Sequence, residues 1–169
     1  MEHFFATCPR GLEDQLAGEL TAAGATQTQA VAGGVGFAGD WETCYRANLW
    51  SRIATRILWR VAHGPYGREE DIYRLAHDVP WHERFAVRRT LRVYMTAIRC
   101  PLKSIDFITL RIKDAVCDRF RAETGRRPSV NTKNPEVRIH LFITAEQATL
   151  YLDTSGDPLA DCLVVFGGG

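Results

Sequence analysis

The sequence predicts an α+β protein made of two units, and three observations lead there. Over the first 61 residues, apolar spacings of period two and of about 3.6 alternate in the order βαββαβ. The turn-rich stretch His63-Gly64-Pro65-Tyr66-Gly67 then breaks the pattern where the charge balance also changes. Beyond it, one long amphipathic helix lies among strands of alternating polarity. The order βαββαβ is the split βαβ of a ferredoxin-like sandwich, in which two helices cover one face of an antiparallel sheet.

Phe4-Phe5-Ala6-Thr7 is a short strand ended by Pro9. Leu12, Leu16 and Leu20, with Ala17 and Ala23, recur at helical spacing, and Gly24 stands where a C-cap belongs. Residues 26–32 and 35–38 are two strands around Gly33-Gly34, a pair that supplies the positive φ a tight hairpin needs. Asp40 is placed to cap a helix running to about Trp50, and residues 53–61 read as a strand with Arg56 and Arg60 facing outward.

In the second unit, residues 68–77 form a short helix stopped before Pro80, and Trp81, Phe85 and Val87 lead into a strand over residues 90–98. Leu91, Val93, Met95 and Ala97 share one side of that strand, Arg92 and Tyr94 the other. From the N-cap Ser104, the residues Ile105, Ile108, Ile112, Val116 and Phe120 make a helical stripe that ends near Gly125. Residues 126–135 are a loop, and residues 137–144 and 149–153 are two strands about a turn. The domain boundaries expected from this reading are 1–64, 65–159 and an atypical tail, 160–169.

The 169 residues are 46% apolar, enough to bury a core without a disulfide framework, and the five scattered cysteines include no CxxC pair. No apolar run reaches membrane-helix length and no secretory signal opens the chain, so a cytoplasmic protein without membrane contact is expected. The net charge of +1 conceals a segregation. Residues 88–133 hold 12 Lys and Arg against Asp106, Asp114, Asp118 and Glu123, and nine of the twelve are Arg. Such a surplus suits a polyanion, and arginine matches phosphate with a planar fork that also stacks on bases. Phe107, between Ile105 and Ile108, could stack on a base, but the same apolar neighbours suit it to the core.

Other chemistry is poorly supported. Gly33-Gly34-Val35-Gly36 joins two strands rather than a strand and a helix, so it is a hairpin and not a dinucleotide or SAM loop. Asn134-Pro135-Glu136 lacks the second proline and the aromatic of an amino-methyltransferase motif. His77, His82 and Glu83 straddle Pro80 and do not share a helix face, which leaves no expected metal site. There is no GxSxG elbow.

Several motifs in order are similar to those of a known family. Ala6-Thr7-Cys8-Pro9-Arg10-Gly11-Leu12-Glu13, Gly33-Gly34-Val35 with Phe37 and Gly39-Asp40, and residues 49–56 resemble the first domain of the bacterial large-subunit ribosomal RNA guanine-N2 methyltransferases. Residues 111–116, Arg127-Pro128-Ser129-Val130 and residues 152–159 resemble its second, the THUMP domain. The resemblance covers about residues 4–159. It implies a ferredoxin-like domain packed with an α/β THUMP domain, which together deliver ribosomal RNA to a SAM-dependent methyltransferase domain absent from this chain. No cofactor is then expected here; SAM belongs to the missing domain, a possible contact partner. After Leu159 the family pattern is lost, and residues 160–169 read as the product of a frameshift or truncation, or as an artificial end.

The expected function is noncatalytic RNA binding. Lys103, Arg111, Lys113, Arg126, Arg127 and Lys133, on the basic helix and the loops at its ends, are the candidate phosphate contacts. Lys113 could instead pair with Asp114 or Asp118, and Arg127 could serve only to order its loop. The competing function is a protein-interaction or dimerisation module without RNA affinity.

Overall fold

The computed structural model describes residues 1–102 and 104–154. Lys103 and the tail 160–169 therefore lie outside the described residues. The protein divides into two compact units, Met1–Arg60 with Asp153 and Thr154, and Val61–Leu152. No helix among the described residues is long and apolar enough to cross a membrane.

The first unit contains β1 (Glu2–Thr7), α1 (Glu13–Ala22), β2 (Thr26–Val31), β3 (Gly34–Gly39), α2 (Trp41–Trp50) and the start of β4 (Arg56–Pro65). Its strands lie in the order β2-β3-β1-β4, every neighbouring pair antiparallel, which is the ferredoxin-like arrangement. Phe4 and Ala6 of β1, opposite Phe37 and Val35 in β3 and Trp59 and Ile57 in β4, are buried together with Leu16, Leu20, Cys44 and Ala47 from the helices. Trp41 meets Trp59 edge to face at 4.8 Å between ring centroids, and Phe4 stacks on Phe37 at 5.3 Å. Gly34 has to be glycine: a Cβ there would lie 2.5 Å from the Ala6 carbonyl oxygen. The hairpin is also tied from outside, since the Glu13 carboxylate accepts from the backbone N–H groups of Gly33 and Gly11. Those two bonds hold the Glu13 carboxyl below the usual range.

Asp40 caps α2 as the sequence predicts, its Oδ1 accepting from the Thr43 amide at 2.9 Å. The next strand is displaced from its predicted start. Ser51 Oγ accepts from the amides of Ile53 and Ala54, which turns the chain, and β4 begins only at Arg56. At its other end β4 continues through His63-Gly64-Pro65, where the sequence suggests a break; Pro65 is the terminal strand residue, a position proline tolerates. Arg56 pairs with the buried Asp153, and the neighbouring Thr154 donates to the Ile57 carbonyl from both its amide and its hydroxyl.

The second unit adds α3 (Glu69–His77), a 3-10 turn at Trp81–Glu83, β5 (Leu91–Ala97), α4 (Ile105–Thr124), β6 (Val137–Ile143) and β7 (Gln147–Asp153). β6 pairs with β5 in parallel and with β7 antiparallel. The face carrying Leu91, Val93, Ile139, Leu141, Ile143, Leu150 and Leu152 is buried, as are Ile108, Ile112, Val116 and Phe120 of α4. Trp81 is fully buried and its indole N–H donates to the Ala76 carbonyl at 2.7 Å. Ser104 Oγ accepts from the Phe107 amide at the start of α4, and Gly125 ends the helix with φ +76°.

Two sequence expectations about α4 need correction. Ile105 lies in the predicted apolar stripe yet is 49% exposed, because the first helical residue precedes the turn that meets the core. Phe107, for which its neighbours suggest a core position, is 46% exposed; at 100° per residue it lies away from the arc shared by Ile108, Ile112 and Ala115. Of the cysteines, Cys8, Cys44 and Cys117 are buried thiols and Cys100 is half-buried; Cys162 lies outside the described residues.

Replacing Asp40 with Ala removes the α2 cap and is expected to lower stability by about 1 kcal/mol. Because the native carboxyl titrates below its ordinary range, the difference from the parent is expected at neutral pH and to shrink as pH falls through the native pKa. Urea unfolding at neutral and acidic pH checks both points.

Candidate nucleic-acid interface

The candidate cations do not form one group. α4 spans 20 residues, about 30 Å at about 1.5 Å per residue, with Arg111 and Lys113 in its first half and Arg126, Arg127 and Lys133 beyond its end. Arg111 is held on two sides, by Glu70 at 3.2 Å and by the ring of Tyr73, whose centroid is 4.2 Å from the guanidinium carbon. Tyr73 in turn donates to Asp118 at 2.5 Å. Lys113 pairs with Asp114 at 2.9 Å, the surface pairing that its sequence neighbours allow.

Arg126, Arg127 and Lys133 occupy the loop from α4 to β6, where all three are exposed. None of them makes an ion pair with a carboxylate among the described residues. The loop is fixed by its backbone. Leu91 at the head of β5 donates to the Ser129 carbonyl at 2.9 Å and accepts from the Asn131 amide at 3.1 Å, forming a parallel bridge to Val130. The amides of Glu136 and Val137 both donate to the Thr90 carbonyl. Asn131 Oδ1 accepts from the amides of Lys133 and Asn134, and Pro128 and Pro135 are buried. Arg127 also lies near Cys117: burial pushes that thiol up, while the guanidinium pulls it back down.

This stitching gathers cations that the site prediction missed. Arg88 is exposed three residues before Leu91, and Arg121 is exposed in the last turn of α4. Arg92 donates to the Thr132 carbonyl at 2.6 Å while its guanidinium covers Tyr94, 4.6 Å from the ring centroid. Tyr94 stacks on His140 at 5.0 Å, and Arg92 sits opposite Arg138 in the β5–β6 register. Arg89, by contrast, is neutralised by Glu136 at 3.5 Å. The one sequence signal for this group was the shared strand face of Arg92 and Tyr94. The resulting surface, at the loop end of the second unit, offers exposed cationic donors on a fixed backbone. Among the described residues no group of three His, Cys, Asp or Glu side chains could hold a metal ion.

Comparison with known families decides what the second unit is. The THUMP domain family matches residues 66–153, more than half of the chain. The chain belongs to the THUMP family. Residues 3–58 match the RlmL ferredoxin-like domain, so both parts of the resemblance seen in the sequence are present beside the α+β fold. The chain is 42% identical over 156 residues to the ribosomal RNA large subunit methyltransferase K/L of Syntrophotalea carbinolica, covering 92% of this chain and 22% of the relative. To the protein of the same name from Aeromonas salmonicida it is 40% identical over 159 residues, covering 94% and 22%. The chain thus spans about a fifth of the length of these curated relatives. A crystal structure described as a predicted N6-adenine-specific DNA methylase from Listeria monocytogenes shares the fold over 90% of this chain and 40% of its own, with TM-score 0.78 and 22% identity.

In the THUMP unit the Tyr73 phenol is pushed up to about 12, first by its bond to the Asp118 carboxylate and then by burial. Its native value exceeds the ordinary tyrosine value of about 10, so the stabilisation is complete below that pH and is lost as pH rises toward the native value. Tyr73→Phe is therefore expected to flatten part of the alkaline decline in melting temperature. Tyr66, also raised to about 12 by burial and the Cys100 thiol, contributes in the same pH range. Ultraviolet phenolate titration beside thermal melts checks this; identical alkaline declines in variant and parent would rule the Tyr73 bond out.

Proposed function

We propose that this chain is a noncatalytic RNA-binding region whose THUMP unit presents large-subunit ribosomal RNA to a SAM-dependent methyltransferase domain lying outside the chain, with guanine N2 as the methyl acceptor. The observation that carries this reading is the exposed trio Arg126, Arg127 and Lys133, unpaired with carboxylates among the described residues and mounted on a loop stitched to Leu91. A cationic loop already ordered before binding can engage phosphates without first losing its own conformational freedom. Arg88 and Arg121 extend the same surface, and phosphate contacts of this kind give sequence-independent affinity that falls with salt. The choice of ribosomal RNA follows the names of the relatives. SAM would be held by the methyltransferase domain and by no residue named here, and a cytoplasmic setting fits that work.

Of the original candidates, Arg111 and Lys113 contribute less on this reading, because each already has a carboxylate partner. Lys103 stays a candidate on sequence alone. A protein-interaction role has one observation in its favour, the exposure of Phe107 and Leu110 on α4.

Reversing Arg126, Arg127 and Lys133 to Glu together is expected to reduce affinity for structured large-subunit ribosomal RNA fragments by at least about tenfold at low salt and to flatten the salt dependence. Reversing Arg111 and Lys113 should have a smaller effect. Gel-shift titrations at several salt concentrations, with circular dichroism to verify folding, check both; unchanged binding by the triple variant removes the loop from the interface. Light scattering of the unliganded chain tests the competing role.

A further inference from the structure

A hollow of about 420 Å³ beside the first turns of α3 and α4 is lined by Arg68, Glu69, Glu70, Leu102, Phe107 and Arg111. Among the described residues Phe107 contributes the one aromatic ring in this lining, and nearly half of that residue is exposed. Its backbone is held by the Ser104 cap, so the place from which the ring projects is set by the start of α4. Arg111 is fixed between Glu70 and the Tyr73 ring, which orients its guanidinium in advance. Glu69 makes no ion pair among the described residues, so its carboxylate can still accept.

Four of the six lining residues are charged. Glu69 and Glu70 are of the residue type depleted from the buried centre of protein–protein contacts, which counts against a protein partner. It suits a small planar group with an apolar face and a polar edge. A splayed-out RNA base is such a group, recognised by stacking on an aromatic ring and by hydrogen bonds to its edge. Carboxylates only accept hydrogen bonds. Guanine is the base that presents two adjacent donors on one edge, N1–H and the 2-amino group, which match the two oxygens of a single carboxylate.

We propose that this hollow is a recognition site for one unstacked guanine of the bound RNA. The Phe107 ring lies against the base, the Glu69 carboxylate accepts from N1–H and the 2-amino group, and Arg68 faces the adjoining phosphate, while Arg111, held by Glu70, borders the base. The assignment rests on the RNA-binding reading above. The guanine is a base that is read and not the acceptor of a methyl group, since nothing in the lining is arranged for group transfer.

The test uses the full chain and fluorescence anisotropy with labelled uridine oligoribonucleotides of about ten nucleotides carrying one central guanosine, inosine or adenosine. Inosine keeps N1–H and lacks the 2-amino group. The guanosine strand is expected to bind about tenfold more tightly than either of the others, as befits a polar site left with an unmatched acceptor. Phe107→Leu, which keeps apolar area but removes the ring, should weaken guanosine binding about tenfold. Phe107→Tyr should retain it, and Glu69→Gln should abolish the preference over inosine. Both positions lie outside the core, and circular dichroism verifies folding.

Equal binding of the guanosine and inosine strands, or a Phe107→Leu protein that binds like the parent, overturns the assignment. So does loss of self-association in Phe107→Asp with RNA affinity unchanged, which would mark a protein contact instead. If structured ribosomal RNA still binds in a manner abolished by the Arg126, Arg127 and Lys133 reversal, only the guanine site has failed. If the parent chain binds no RNA at all, the RNA-binding reading itself has failed.

Discussion

The pair of backbone hydrogen bonds at Leu91 is the constraint on which the candidate surface depends. Leu91 N–H to Ser129 and Leu91 C=O from Asn131 turn a ten-residue connection into an extension of the β5 ladder. Without them residues 126–135 would be a flexible link, and ordering each residue on binding would cost about 1–2 kcal/mol of backbone entropy. The buried prolines at 128 and 135 reinforce the effect, because each removes φ freedom from the unfolded chain as well. The same bonds bring the head of β5, with Arg88 and Arg92, to the end of α4, with Arg121. Charge that is scattered over 46 residues of sequence, 88–133, is thereby partly collected at one end of the unit.

Electrostatic range separates that end from the other. Arg111 precedes the Gly125 cap by 14 residues, about 21 Å along the helix axis. This is more than two Debye lengths at physiological ionic strength, where the length is about 8 Å. The paired charges around Arg111 therefore neither assist nor oppose a phosphate at the loop. Each surface pair contributes at most about 1 kcal/mol to stability, so their main effect is to fix the side chains involved.

What the sequence made legible was local. Asp40 and Ser104 cap their helices, Gly125 ends α4 in the left-handed region, and the alternation through Val137–Ile143 is reproduced in burial; each needs only a few neighbouring residues. The errors share the opposite character. The late start of β4 comes from a Ser51 hydroxyl competing for the amides of Ile53 and Ala54, a side-chain capture that apolar spacing does not report. Phe107 has apolar neighbours in the chain but points outside the arc they share. Arg111 reads as available in the sequence because its partner, Glu70, is 41 residues away. The grouping of Arg88, Arg92 and Arg121 with the loop depends on pairing between residues 90–91 and 129–137, for which no short pattern exists.

A helix capped at both ends by Ser104 and Gly125 is also a rigid spacer. A ligand that reaches both of its ends meets them at a separation of about 30 Å that thermal motion hardly changes, so the second contact forms at a high effective concentration once the first is made. Two feeble attachments then multiply. On the RNA-binding reading proposed above, fragments too short to reach from one end to the other would sample only single attachments, and their affinities would understate the hold on a longer strand.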